Sequence, residues 1–163
     1  LEVIKDTTKP NYHFLIVGNG TQYDMMQGWF NNHQPNHATL MQRLPKADYD
    51  VLLAACDIGL IFLHPNFTIP NFPSRLLSYL EMRMPVITVT DPITDIGKVV
   101  EKAQCGYGVL SGDLNGFDKC LSKLNDDSNY RKMSRNAWQL LIDDYCVDRS
   151  YNLIVDKVNT SNR

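Results

Sequence analysis

Short unbroken apolar runs alternate along this chain with stretches of helical spacing, and that alternation restricts the possible folds more than any other feature. "HFLIVG" (13–18), "ATLMQ" (38–42), "IGLIFL" (58–63) and "PVITVT" (85–90) read as strands, and "YGVL" (107–110) as a weaker fifth. Between them lie "TQYDMMQGWFNNH", "KADYDVLLAAC", "SRLLSYLEMR" and "TDIGKVVEKAQ", each long enough for a crossover helix. Parallel strands require such crossovers, so the pattern predicts an α/β fold with a parallel sheet covered by helices on both faces. Strands buried on both faces read as continuous apolar runs, and "IGLIFL" does. Beyond residue 110 the spacing turns helical in "NGFDKCLSKLND", "YRKMSRNAWQLLIDDY" and "RSYNLIVDKV", and the tail "VNTSNR" is expected to fray. No repeat or linker-like stretch interrupts the chain, so residues 1–163 are expected to form one domain.

Charge and composition exclude several functions. Sixteen basic against eighteen acidic residues give a formal charge of -2, and no stretch gathers Lys or Arg into a nucleic-acid footprint. No run approaches a membrane-spanning length, and "LEVIKDTTKP" lacks the pattern of a signal peptide, so a cytoplasmic protein is expected. Cys56, Cys105, Cys120 and Cys146 are far apart with no C-x-x-C, which points to buried reduced thiols. The four histidines show no metal spacing, and neither a metal nor a cofactor is expected.

Ligands of open parallel sheets bind beyond the carboxyl ends of the strands, which directs attention to the loops after Val17, Gln42, Leu63 and Thr90. In "VGNG", a dinucleotide fingerprint would need glycine where Tyr23 stands, and no Walker lysine follows. Gly18 and Gly20 then form either a turn of left-handed residues or a bare backbone that a ligand can approach closely. In "QRLPKADYD" the acidic residues suit the first turn of a helix; alternatively, exposed backbone at Arg43 and Leu44 reads the edge of a nucleobase. Asp91-Pro92 reads as a turn starter with Thr94 or Asp95 as the following cap, and His64 as structural.

The stretch "HPNFTIPNFPSRLLSYLEMRMPVI" is the most pointed. Pro73 suits the opening of a helix. At 100° per residue Ser74, Ser78 and Glu81 share one stripe with Arg75 beside it, while Leu76, Leu77, Leu80 and Met84 fall on the opposite face. The first free amides, the Ser74 hydroxyl and the Arg75 guanidinium together suit an anion such as diphosphate. The plainer alternative is a solvated face with an ordinary cap.

"FLIVGNG", "LPKADYDVLLAACDIGLIFL", "IPNFPSRLLSYLEMRMPVI" and "DIGKVVEKAQCGYGV", in this order, resemble the C-terminal, nucleotide-sugar-binding half of GT-B glycosyltransferases, in particular the retaining family-4-like group. The resemblance covers residues 14 to 110. It implies a Rossmann-like donor-binding domain that binds a nucleotide-sugar, UDP-linked by expectation, without a metal. Arg43 and Leu44 would hold the base through their backbone, and Pro73, Ser74 and Arg75, where relatives have Pro-Ser-Lys, would sit at the diphosphate. Two departures stand out: the family's Glu-x7-Glu pair falls at Pro70 and Ser78, which leaves Glu81 as a substitute on the same stripe. The resemblance further implies that an N-terminal acceptor-binding domain and the first strand of this half, with its basic residues, lie outside these residues. The isolated chain would then be inactive. Within the family, "FTIPNFPSRLLSYLE" is most similar to bacterial transferases of surface polysaccharide synthesis that handle aminosugars, enzymes that admit peripheral association with the inner face of the membrane. A different class fits the same residues: a non-catalytic α/β module for a nucleotide or sugar phosphate.

Overall fold

Every residue of "VITVT" is buried, and the strand it forms, Val86–Thr90, lies between two others that run parallel to it. A computed structural model describes residues 1–6, 12–66 and 72–161. Its contacts divide the chain into two compact units, Leu1–Ala54 and Ala55–Arg163.

The first unit holds α1 (Glu2–Asp6), β1 (Phe14–Val17), α2 (Tyr23–His33), β2 (Ala38–Met41) and α3 (Lys46–Ala54). β1 and β2 pair in parallel, with Phe14 opposite Ala38 and Val17 opposite Met41. The crossover between them is α2, as the spacing predicts. Its core is small: Ile4, Phe14, Ala38 and Leu53 are buried, whereas α2 has no buried residue. The short α1 carries no periodic signal and is held instead by His37, whose Nε2 lies 2.7 Å from the Ile4 carbonyl.

The second unit holds β3 (Gly59–Phe62), α4 (Arg75–Glu81), β4 (Val86–Thr90), α5 (Ile96–Lys102), β5 (Gly106–Leu110), α6 (Leu114–Leu124), α7 (Asp127–Asp144) and α8 (Val147–Ser161). Its sheet has the order β3-β4-β5, all parallel, with Gly59 opposite Val86 and Val86 opposite Gly106. Ile61, Val86, Ile96 and Val100 from the sheet and α5 meet Leu76 and Leu80 of α4 and Ala137 and Leu140 of α7 in one core. Full burial of a leucine such as Leu76 or Leu80 contributes about 1.5–3 kcal/mol. Aspartates start the two helices after β5: Asp113 accepts from the Gly116 amide at 2.8 Å and Asp126 from the Asn129 amide at 2.7 Å.

The α/β architecture with parallel strands flanked by helices is the one expected. Four particulars differ. The strands pair as two sheets, of two and three strands, where one was expected. "IGLIFL" is not covered on both faces: β3 is an outer strand, Leu60 is half-buried and Phe62 is 46% exposed, so the fully buried strand is β4. Of the four free thiols, Cys105 and Cys120 are buried but Cys56 and Cys146 only partly so. Finally, the tail expected to fray is helical through Ser161, and its last two residues, 162 and 163, lie outside the described residues. Among the described residues no helix is long and apolar enough to cross a membrane.

Candidate functional site

The first turn of α4 leaves polar groups unused. Pro73 is buried and anchors the turn, and Leu76, Leu80 and Met84 bury the apolar face that the spacing predicts, with Leu77 half-buried beside them. Ser74 occupies the N-cap position, yet its torsions (φ -56°, ψ -24°) are already helical and its hydroxyl makes no capping bond. A capping serine ordinarily sits in the extended region, from which its oxygen reaches the second or third amide of the helix. Here the Leu76 and Leu77 amides turn back to the Pro73 and Ser74 carbonyls at 2.9 and 3.1 Å. The ordinary cap of the plainer alternative is therefore not made, although the exposed stripe that it also expects is present. Among the described residues the Ser74 and Arg75 amides, the Ser74 hydroxyl and the Arg75 guanidinium have no hydrogen-bond partner, and both residues are exposed. Unsatisfied N–H groups beside a guanidinium attract anions.

Ser78 is half-buried and Glu81, the last residue of α4, is exposed. Neither side chain is engaged by a partner among the described residues. Pro70, the other departure from the family pattern, lies outside the described residues.

The neighbouring strand ends carry structural duties. Asp91, buried at the end of β4, accepts from the Ile93 and Thr94 amides at 2.8 and 2.9 Å and from the Thr94 hydroxyl at 2.5 Å. The Thr94 hydroxyl bond is the main influence holding its carboxyl below the usual range, against burial, with the two amides adding to it. Asp91 thus closes the turn expected at Asp91-Pro92, whereas the cap expected of Thr94 or Asp95 is not made: Thr94 donates to Asp91, and Asp95 takes the N-cap position of α5 without a side-chain bond. His64 Nδ1 receives the Asn66 amide at 3.2 Å, which closes a turn and agrees with a structural role.

In the first unit, the expected left-handed turn at Gly-Asn-Gly is absent. None of the three residues has positive φ. A Cβ added to Gly18 or Gly20 would meet nothing within 4 Å. Neither backbone conformation nor packing within the chain therefore demands glycine at these positions. Arg43 is exposed and Leu44 half-buried in the loop between β2 and α3, and their backbone groups make no hydrogen bond among the described residues.

Thiol chemistry finds no support here. Burial pushes the Cys105 thiol up to about 11, and burial likewise raises Cys56 and Cys120. Among the described residues no group of three His, Cys, Asp or Glu side chains could hold a metal ion. The sequence reading did miss a polar recess around Tyr107, Lys123 and Lys132. Its residues come from four elements, so no local spacing marks it.

Residues 1–139 match the family described as Glycosyl transferases group 1. The chain belongs to that family. No curated protein sequence matches it. Among solved structures, this group 1 chain is similar to a sucrose-phosphate synthase from Thermosynechococcus elongatus, at 14% identity over 90% of this chain and 38% of that one, with a TM-score of 0.67. It is also similar to WaaG, a glycosyltransferase involved in lipopolysaccharide biosynthesis (18%, 83% and 35%, TM-score 0.63). A third is the pneumococcal O-GlcNAc transferase GtfA in complex with UDP and GlcNAc (17%, 85% and 27%, TM-score 0.62). At such identities the likeness is one of fold. The chain spans between 27% and 38% of the length of these three structures.

Proposed function

We propose that the chain is the donor-binding, C-terminal part of a family-4-like GT-B glycosyltransferase, which transfers a sugar from a nucleoside diphosphate sugar, UDP-linked, to a glycan or lipid-linked acceptor in surface polysaccharide synthesis. The observation that carries this reading is the first turn of α4, where two amides, a hydroxyl and a guanidinium without partners among the described residues coincide in a glycosyltransferase-family chain. Departure of a nucleoside diphosphate leaves negative charge on the β-phosphate while the anomeric carbon becomes cation-like. Donors fixed in place before reaction stabilise that charge without reorganising, and they need no metal to do so. The backbone amides of Ser74 and Arg75 take that role, and the Arg75 fork, suited to two phosphate oxygens at once, is ordered by the bound phosphate. Arg43 and Leu44 contact the base through their backbone, and Gly18 and Gly20 let the donor approach the main chain. Ser78 or Glu81 contacts the ribose. The transfer retains anomeric configuration, as in the family-4-like group that the motifs resemble.

Two neighbours support the choice of nucleotide and context: GtfA was solved with UDP, and WaaG is involved in lipopolysaccharide biosynthesis. One observation favours a second reading, a non-catalytic nucleotide- or sugar-phosphate-binding module, because Ser78 cannot form the charge-assisted ribose bonds of a glutamate. Thermal-shift measurements with UDP, GDP, dTDP, CDP and ADP and their sugars test the base. NMR titration with UDP tests the site: shifts at Ser74 and Arg75 are expected, and their absence would overturn the assignment.

A further inference from the structure

The three strands of the second unit run parallel, and α4 begins after the carboxyl end of β3. At the other, amino end of the same sheet lies a recess of about 370 Å³, beside Gly106, the first residue of β5. Its walls are Glu101 and Gln104 from the end of α5, Tyr107 of β5, Lys123 of α6, and Asn129 and Lys132 of α7.

Asn129, Tyr107 and Glu101 are held in place by hydrogen bonds, and the exposed Lys123 and Lys132 stand at the rim. Asn129 Nδ2 donates to Tyr107 Oη at 3.0 Å and to the Lys123 carbonyl at 2.8 Å, while its own amide is held by Asp126. With a lone pair of Tyr107 Oη already occupied, the phenol is left to donate its proton elsewhere. Lys123 Nζ stands 5.1 Å from the centre of the Tyr107 ring, a cation–π contact that orients the ammonium without neutralising it. Among the described residues neither Lys123 nor Lys132 pairs with a carboxylate. The carboxylate in the wall, Glu101, spends Oε1 on the Gly108 amide at 3.1 Å, which leaves Oε2 as an acceptor.

Two unpaired ammonium groups and a phenol proton present donors only, matching the three terminal oxygens of a doubly charged phosphate, while Glu101 Oε2 accepts from a hydroxyl on the organic part. The volume lies at the small end of ligand pockets, which are roughly 300–1,000 Å³. We propose that this recess binds a small phosphomonoester bearing hydroxyl groups, at a site separate from α4.

The test is NMR titration of the chain with inorganic phosphate and with glycerol phosphate at constant ionic strength. Saturable shifts are expected at Gly106, Tyr107 and Asn129, with affinity falling about tenfold in Lys132→Ala and about threefold in Tyr107→Phe, as loss of one charge-assisted and one neutral hydrogen bond implies. Affinity should also fall between pH 7.5 and pH 5.5, because the second phosphate proton binds near pH of about 6. Sedimentation with phosphatidic acid vesicles separates a lipid source from a soluble one: vesicle binding abolished by Lys132→Ala assigns the site to a lipid phosphomonoester, and no vesicle binding assigns it to a soluble one. An Arg75→Ala chain with weakened UDP binding should still bind glycerol phosphate with unchanged affinity, so the donor assignment can fail without this one. Shifts that do not saturate, that spread over the surface lysines, or that persist unchanged in Lys132→Ala would overturn the proposal.

Discussion

The ring of Tyr79 lies across Gly59, nearer than any Cβ could tolerate, and its hydroxyl donates to the neighbouring Leu60 carbonyl at 3.1 Å. α4 is thus fitted to β3 through an absent side chain. Gly59→Ala would force the ring aside and break that bond, and a loss of about 1–3 kcal/mol is expected, the usual cost of overpacking. Gly106→Ala should cost more, because its Cβ would meet the Val86 carbonyl, a backbone atom that cannot move without opening the β4–β5 ladder. Urea midpoints of the two variants check the order.

Gly18 and Gly20 form the contrasting pair, since a methyl group at either meets nothing. Gly18→Ala and Gly20→Ala should leave stability unchanged or raise it by about 0.4–1 kcal/mol, because alanine narrows the unfolded ensemble. If the bare backbone admits a donor, both variants lose UDP-sugar affinity while their melting temperatures hold. Equal loss of stability and binding would make these glycines structural.

Gln104 ends α5 in a left-handed conformation (φ 52°), with its amide bonded to the Glu101 carbonyl and the Cys105 amide to that of Val100. This closure favours glycine. Asn136 Nδ2 binds the Gln104 carbonyl at 2.9 Å, a main-chain contact that any substitution keeps. Gln104→Gly should therefore stabilise the chain by about 0.5–1 kcal/mol, read as a higher urea midpoint.

How much of this was legible in the residues depends on the range of the interaction. β1 to β5 and the longer helices were visible because apolar spacing reports burial locally, and the Leu76–Leu80–Met84 face was read correctly for the same reason. The pairing into two sheets was not, since spacing marks strands but not their partners. α1 was missed because five residues are too few for a period and the His37 bond reaches across 33 positions. At the candidate site, sequence named Ser74 and Arg75 but could not reveal that Ser74 fails to cap. That depends on torsions, which the residue type does not fix: serine is a preferred N-cap residue, and nothing local in the sequence marks this one as an exception.

Asp91 makes the chain acid-sensitive. Its carboxyl lies below the ordinary value of 3.8, chiefly through the Thr94 hydroxyl. A group depressed in the folded state contributes stability above its unfolded value, and that contribution is lost as pH falls through the folded one. Stability should thus be level near neutrality and decline below a pH of about 4. Asp91→Asn should be less stable at pH 7 and show a shallower decline toward pH 3. Parallel declines in the two proteins would show that other carboxylates govern the acid limb.

Arg75 distinguishes a phosphate grip from general positive charge. A guanidinium can bond two oxygens at once, whereas an ammonium acts as a point charge. The side chain is exposed and unpaired among the described residues, so Arg75→Ala should not alter the urea midpoint measurably. UDP affinity should fall about tenfold or more, the range of one hydrogen bond to a charged group. Arg75→Lys should recover part of that loss, since lysine binds phosphate too but without the fork. Titration of the three chains by NMR at fixed ionic strength checks the series, and equal affinities would remove Arg75 from the donor site.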